Sequence, residues 1–148
     1  MKLLIMGLPG SGKTTLARIL AERFLMPHVN ADTLREFYND WDFSKEGRLM
    51  QAHRMSQFHF GILDFVCPLE QTRNIVDADF IVWMDTIDNS RFEDTDIIFE
   101  KPTKYDIRVT EHICLDTLKT SLKKYDTGVK NLTEYLDVAR RMATLLPA

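Results

Sequence analysis

The chain has 148 residues, of which 45% are hydrophobic, and its formal net charge is −3. A chain of this length can bury a sizeable core, so one domain over residues 1–148 is expected. The acidic balance argues against a dedicated nucleic-acid binder, although it leaves room for a local basic groove. No apolar run reaches the ~18 residues of a membrane span, so no membrane contact is expected.

The two cysteines, Cys67 and Cys114, lack the spacing of a disulfide framework or a metal site. The four histidines also show no metal-ligand spacing. Free thiols persist in a reducing compartment, so this usage favours a cytoplasmic protein.

The N-terminal half of the chain alternates strand and helix. An apolar run at residues 2–6 predicts a buried strand, and residues 13–24 carry apolar side chains at helical spacing. Residues 27–30 predict a short second strand, and residues 33–38 predict a brief helix. This alternation is typical of a parallel sheet with helical crossovers.

The alternation continues into the second half. Ser44 is a predicted N-cap for a helix that runs to about residue 58. Strands are predicted at residues 62–67 and 80–84, and a weaker one at 105–109. A final helix is predicted at residues 129–146. The expected fold class is therefore α/β: a three-layer α/β/α arrangement with a mostly parallel sheet of about five strands.

A glycine-rich motif lies between the first strand and the first helix. Residues 7–15 read G-L-P-G-S-G-K-T-T and fit the pattern G-x-x-x-x-G-K-S/T in its required context. Backbone N–H groups of such a loop surround a phosphate, so the chain is predicted to bind a nucleoside triphosphate and to have a P-loop NTPase/kinase fold. Lys13 should reach the β- and γ-phosphates, and the Thr14 hydroxyl should ligate Mg²⁺. The predicted nucleotide contacts are Gly7, Pro9, Gly10, Ser11, Gly12, Lys13, Thr14 and Thr15.

A second polar group follows the second strand, where ligands of parallel sheets bind. Asp32 and Arg35 are three residues apart and would share one face of a helical turn. Asp32 could accept the proton of an acceptor hydroxyl or hold the metal, and Arg35 could fix the acceptor. Asp32 could instead be the N-cap of the short helix, and both interpretations stay open.

The motifs of this sequence fit a small phosphotransferase better than a GTPase of the switch class. The chain has no Asn-Lys-x-Asp motif and no long acidic strand ending. Asp64 is the one candidate for such an ending, and it could equally be a buried structural carboxylate.

Together with the patterns that follow, these motifs resemble those of the adenylylsulfate kinases, and the resemblance covers roughly residues 1–110. The family's D-G-D-N-x-R stands here as N-A-D-T-L-R at residues 30–35, which keeps Asp32 and Arg35. Its G-F-S-x-x-D-R-x-E-N-x-R-R is similar to residues 42–54, where Phe43, Ser44 and Arg48 match and Gln51 replaces the Asn.

Two later patterns extend the resemblance. F-I/V-S-P-Y-R-x-x-R is similar to residues 65–73, which keep Pro68 and have Cys67 in place of the Ser. F-x-G-x-D-x-x-Y-E-x-P is similar to residues 92–102, with Phe92 and Asp96 retained. The resemblance implies that Phe43 and Phe92 sandwich the acceptor's adenine. The acceptor contacts it implies are Arg35, Phe43, Arg48, Gln51, Cys67, Pro68, Phe92 and Asp96.

The chain lacks the family's basic lid, an R-D-P-K-x-L-Y-K-K-type run. Only a short connection precedes Phe92 here, and Arg91 is the nearby candidate cation. A lid excludes water and completes the site, so an open site could accept a different or bulkier acceptor.

The resemblance implies transfer of the ATP γ-phosphate to the 3′-hydroxyl of adenylylsulfate or a similar nucleotide, as in sulfate assimilation. It also implies Lys13, Asp32 and Arg35 as catalytic residues, Thr14 and Asp32 at Mg²⁺, and homodimers. Two alternatives stay open: a polynucleotide 5′-hydroxyl kinase, which the Pro9-containing loop and the spacing of Asp32 and Arg35 also resemble, and a nucleotide-binding module that no longer catalyses.

Overall fold

A computed structural model describes residues 1–112 of the chain. Its strands are β1 (Lys2–Met6), β2 (His28–Asn30), β3 (Gly61–Asp64), β4 (Phe80–Met84) and β5 (Ile107–Val109). Its helices are α1 (Lys13–Phe24), α2 (Ala31–Tyr38), α3 (Lys45–Ser56), α4 (Glu70–Val76) and α5 (Glu93–Ile98). The five strands form one sheet in the order β2-β3-β1-β4-β5, and every pair is parallel. The expected α/β fold is confirmed.

Two apolar cores lie on the two faces of this sheet. Successive residues of a strand point to opposite faces, and β1 supplies both cores with fully buried side chains. Leu3 and Ile5 pack with Ala17 and Leu20 of α1. Leu4 and Met6 pack on the other face, with Ala52 and Met55 of α3 and Val76 of α4. A sheet covered on both faces explains why β1 and β4 are continuous apolar runs.

Several predicted boundaries are confirmed and others shift for local reasons. The bounds of β1, α1 and β4 are as predicted. Helix α2 begins two residues early because Asn30 caps it, accepting a hydrogen bond from the Thr33 N–H at 3.0 Å. Ser44 caps α3 as predicted, through the Gly47 N–H at 3.2 Å.

The third strand is shorter than predicted, and two helices were not foreseen. Strand β3 ends at Asp64, and Cys67 has a φ of 49°, which is incompatible with an extended strand. Helices α4 and α5 are short, at 7 and 6 residues. The predicted C-terminal helix at 129–146 lies outside the described residues.

Candidate active site

The glycine-rich segment forms a tight loop between β1 and α1. Gly7, Gly10 and Gly12 have φ values of 149°, 83° and 100°, which only glycine adopts without strain. A Cβ at Gly7 would lie 2.5 Å from the carbonyl oxygen of Met84, so the loop is pressed against the end of β4. The 12-residue helix α1 begins at once after Gly12, and its free N–H groups therefore face the loop.

Lys13 folds back over this loop. Its side chain is buried, and Nζ donates a hydrogen bond to the carbonyl oxygen of Leu8 at 3.0 Å. Burial lowers the pKa of Lys13, while the nearby carboxylates of Asp64 and Asp32 raise it. The ammonium group is thus held at the loop, within the field of two carboxylates.

The loop contains a buried hydroxyl without a partner. Ser11 is completely buried, and within residues 1–112 its Oγ makes no hydrogen bond. The Ser11 backbone is fixed from the β4 side, because the Thr86 hydroxyl donates to its carbonyl oxygen at 2.7 Å. A buried polar atom without a partner requires an explanation, and a bound ion or ligand is one of them.

Next to the loop, three side chains contact one carboxylate oxygen. Asp64 ends β3, is 3% exposed, and accepts a hydrogen bond on Oδ2 from the Thr14 hydroxyl at 2.6 Å. Asn30 Nδ2 donates to the same oxygen at 2.9 Å, and His28 Nε2 lies 3.1 Å from it. Asp64 and His28 are absent from the predicted site residues. A strand predicted to run to residue 67 placed Asp64 in mid-strand, whereas its true end brings the carboxylate to the loop.

The donors present fit Mg²⁺ better than a transition metal. Thr14 and Asp64 offer hard oxygen ligands, and the Asp32 carboxylate is close enough to Lys13 to raise its pKa. Residues 1–112 contain no cluster of three or more histidine, cysteine or acidic side chains that could hold a metal. Mg²⁺ in nucleotide sites uses one or two carboxylates together with substrate phosphates, so such a cluster is not required.

Asp32 lies in the first turn of α2 with an exposed side chain. The interpretation of Asp32 as an N-cap is wrong, because Asn30 occupies that position. Its carboxylate accepts no hydrogen bond from the part of the chain that the structure describes. An acidic group in the first turn also suits the helix dipole.

The hydrogen bonds of the Arg35 side chain are made to the loop after α2. Its side chain is buried, and NH1 donates to the carbonyl oxygens of Asp40 and Asp42, each at 3.0 Å. Burial lowers the pKa of Arg35, and Asp40 opposes that shift. Arg35 therefore fixes the loop after α2, and a direct contact between Arg35 and an acceptor stays a prediction.

A cavity of about 460 Å³ opens beside α3 and α5. It is lined by Phe43, Lys45, Arg48, Leu69, Gln71, Asp94, Ile98 and Glu100. The structure thus brings Phe43 and Arg48 together, as the sequence predicts for an acceptor pocket. Arg48 holds the wall in place: Nε donates to the Phe43 carbonyl oxygen at 2.8 Å, and NH2 to Thr95 Oγ1 at 3.2 Å.

The two predicted stacking residues are both accessible. Phe43 is 45% exposed and Phe92 is 44% exposed. The guanidinium of Arg35 lies 4.3 Å from the Phe43 ring centroid, and that of Arg48 lies 5.3 Å from it. Arg91 lies 5.1 Å from the Phe92 ring. Phe92 precedes α5 and is not among the side chains that line the cavity, so the stacking of one base between the two rings stays a prediction.

Four residues predicted to contact the acceptor are buried or hydrogen-bonded to other groups of the protein. Gln51 is fully buried and donates to the Ala31 carbonyl oxygen at 2.7 Å. Cys67 and Pro68 are buried, and burial raises the pKa of the Cys67 thiol to about 12. Asp96 accepts hydrogen bonds from the N–H and hydroxyl of Ser90. These side chains shape the walls, and their contact with an acceptor stays a prediction.

Arg73, which the sequence did not single out as a site residue, fixes the loop beside the cavity. Its guanidinium donates to the carbonyl oxygens of Cys67, Pro68 and Glu100. No helix among residues 1–112 is long and apolar enough to cross a bilayer.

Comparison with solved structures places this architecture among kinases with the same fold. An APS kinase from Mycobacterium tuberculosis, solved with AMPPNP and APS, has a TM-score of 0.64 and 20% identity, covering 83% of this chain and 95% of that chain. A shikimate kinase from Aquifex aeolicus has a TM-score of 0.57 and 17% identity, covering 87% and 100%. A gluconokinase from Sinorhizobium meliloti also has a TM-score of 0.57, with 12% identity and coverage of 86% and 97%.

At these identities the similarity shows the fold, which is that of the P-loop kinases, including the APS kinases. No curated protein matches the chain. The family model described as an AAA domain matches residues 2–95, which is more than half of the sequence. With its phosphate loop, parallel sheet and strand-end carboxylate, the chain belongs to the AAA domain family.

Proposed function

We propose that this chain is an ATP-dependent kinase that phosphorylates a hydroxyl group of a small nucleotide, with adenylylsulfate and its 3′-hydroxyl as the leading candidate acceptor. The carrying observation is the arrangement around the loop. Lys13, Thr14 and Ser11, whose hydroxyl has no partner within residues 1–112, lie at one strand end, and the exposed Asp32 carboxylate is close enough to raise the pKa of Lys13. Phosphoryl transfer needs a phosphate cradle and a group that positions the attacking oxygen.

Each residue has a distinct task in this proposal. The loop N–H groups and the Ser11 hydroxyl bind phosphate oxygens, and Lys13 leaves the Leu8 carbonyl to contact the β/γ-phosphates. Thr14, held by Asp64, would coordinate Mg²⁺, and Asp32 could contribute a second carboxylate. Bound Mg²⁺ would supply charge neutralisation on the transferring phosphoryl group.

Asp32 acts on the acceptor side. Its exposed carboxylate takes or orients the proton of the attacking hydroxyl, since no group within residues 1–112 already donates a hydrogen bond to it. The cavity lined by Phe43 and Arg48 would hold the rest of the acceptor. A homodimer and a cytoplasmic location remain predictions from the sequence.

A polynucleotide 5′-hydroxyl kinase is the second candidate, and one observation favours it. Four aromatic side chains between residues 37 and 43 are exposed: Phe37 at 80%, Tyr38 at 50%, Trp41 at 51% and Phe43 at 45%. Exposed aromatic rings are stacking platforms for single-stranded nucleic acid. They follow Asp32 directly, so an oligonucleotide end could reach the same carboxylate.

A coupled ADP-release assay distinguishes the candidates. Wild-type protein with ATP and Mg²⁺ is given adenylylsulfate, an oligonucleotide with a 5′-hydroxyl, or no acceptor. Acceptor-stimulated release with adenylylsulfate supports the leading candidate, and stimulation only by the oligonucleotide supports the second. ATP binding without any acceptor-dependent release would instead indicate a module that no longer catalyses.

A further inference from the structure

Three side chains contact one carboxylate oxygen of Asp64, and the proposed function gives a role to only two of them. Thr14 contacts Oδ2 from the phosphate loop, and Asn30 contacts it from the end of β2. The third contact comes from His28 at 3.1 Å, at the beginning of β2. The first two follow from the loop and the strand ends, whereas His28 has no role in the site as described so far.

The register of the sheet explains how His28 reaches this oxygen. Strands β2 and β3 are parallel, with His28 opposite Ile62 and Asn30 opposite Asp64. Side chains two residues apart share a face, so His28 lies one pleat behind Asp64 on the face that α1 covers. Strand β2 is an edge of the sheet, yet the His28 side chain is only 19% exposed.

The hydrogen bond between His28 and Asp64 has a defined donor and acceptor. Because an ionised carboxylate only accepts hydrogen bonds, we assign Nε2 of His28 as the donor in this contact. All three donors meet at Oδ2, and no side chain or backbone group of residues 1–112 donates to Oδ1. His28 therefore helps to fix the rotation of the Asp64 carboxyl group and the direction of its remaining oxygen.

We propose that His28 is a positioning residue for the divalent cation that accompanies the nucleotide. By holding Asp64 in one orientation, it presents the Thr14 hydroxyl and Oδ1 of Asp64 to Mg²⁺. This inference rests on the proposed function, because it assumes that the loop binds ATP with Mg²⁺. Hydrogen bonds to metal ligands from surrounding groups typically change metal affinity by about 10–100-fold when removed.

Three variants at one position separate this role from simple packing. His28→Gln keeps an N–H donor at a similar reach, His28→Asn keeps an amide that is too short, and His28→Leu fills the space without a donor. His59→Leu serves as the matched control, because His59 is exposed and lies in the connection between α3 and β3. Melting temperatures identify any variant that does not fold, and the Gln and Asn pair remains informative if the Leu variant fails.

The readout is binding rather than turnover. The affinity of a fluorescent ATP analogue is measured over a series of Mg²⁺ concentrations, and also without Mg²⁺. We expect His28→Leu and His28→Asn to need about tenfold more Mg²⁺ for the half-maximal gain in affinity. His28→Gln and His59→Leu should stay within about twofold of wild type, and Mg²⁺-free binding should be equal in all.

The failures are distinguishable. Wild-type protein that binds no nucleotide, or whose affinity ignores Mg²⁺, would contradict the proposed function itself. Wild-type protein that responds to Mg²⁺, together with Leu and Asn variants that respond identically, would overturn only the role of His28. A Gln variant as impaired as the Leu variant would also overturn it, because the donor would then not be the feature that matters.

Discussion

Asn30 donates a hydrogen bond to the Asp64 carboxylate at 2.9 Å, across the neighbouring parallel strands β2 and β3. In the adenylylsulfate kinase pattern that this segment resembles, position 30 holds an aspartate. Here an amide stands at the end of β2, and the carboxylate beside it comes from β3. An amide and a carboxylate share this space without repulsion, whereas two carboxylates would repel one another.

The first prediction concerns this pair. Asn30→Asp should destabilise the protein at pH 7.5 by about 1–4 kcal/mol, because two charges would meet at hydrogen-bonding distance. Protonating either carboxylate relieves the repulsion, so the deficit should shrink as the pH falls toward about 4. Urea unfolding of variant and wild type at pH 7.5 and 4.5 measures the difference. An equal deficit at both values would show that charge is not its cause.

The second prediction tests the phosphate loop. Lys13→Met should lower the affinity for ATP and reduce phosphoryl transfer at least about 100-fold, because the loop loses its phosphate-binding cation. The fold should survive, since burial already lowers the pKa of Lys13 and a Met removes the desolvation cost. Calorimetric titration with ATP and Mg²⁺ gives the affinity. Lys104→Met, at an exposed position outside the phosphate loop, is the control. Unaltered ATP binding by the Lys13 variant would contradict the role of Lys13 in phosphate binding.

The third prediction concerns acceptor stacking. Phe43→Ala should raise the KM for the acceptor by about 5–100-fold, because stacking of a base on an aromatic ring contributes about 1–3 kcal/mol. The KM for ATP should not change, since Phe43 lines the cavity rather than the phosphate loop. Steady-state kinetics with each substrate varied in turn provide the measurement. Phe60→Ala removes another exposed ring, just before β3, and should leave both constants unaltered.

The fourth prediction follows from the buried thiol. Burial raises the pKa of Cys67 to about 12, so the folded protein holds the unreactive thiol at pH 8. In a Cys114→Ser background, a thiol reagent should label Cys67 only as fast as the protein unfolds. Unfolded cysteine ionises near pH 9, so this raised pKa should also make stability fall as the pH increases above about 9. Rapid stoichiometric labelling under native conditions would mean that Cys67 is accessible.

The fold was largely predictable because its strongest patterns are local. The apolar runs of β1 and β4 and the periodicity of α1 coincide with the structure, since buried parallel strands and an amphipathic helix leave clear signals. Helices α4 and α5 were missed because they span only two turns or fewer, too short for a period to show. Their positions depend on tertiary contacts, such as those Arg73 makes to Glu100 and the loop after β3.

The site was predicted in outline rather than in its contacts. The loop motif gave Lys13 and Thr14, because its chemistry fixes residue type and spacing. The sequence offers Asp64 only as a possible strand ending, because its contacts depend on where β3 ends and on the register that brings His28 and Asn30 beside it. Arg35 turned out to hold backbone carbonyls, a choice that sequence spacing does not reveal.

The most direct test of the central claim is the ADP-release assay on Asp32→Asn. The amide keeps the size of the side chain and cannot take a proton from the attacking hydroxyl, so acceptor-stimulated release should fall about 100-fold or more. Affinity for ATP with Mg²⁺, measured on the same preparation, should remain within about fivefold of wild type, because the loop and Asp64 stay intact and the Asn amide oxygen can still bind Mg²⁺. Acceptor-stimulated release at the wild-type rate from the Asn variant would contradict the account.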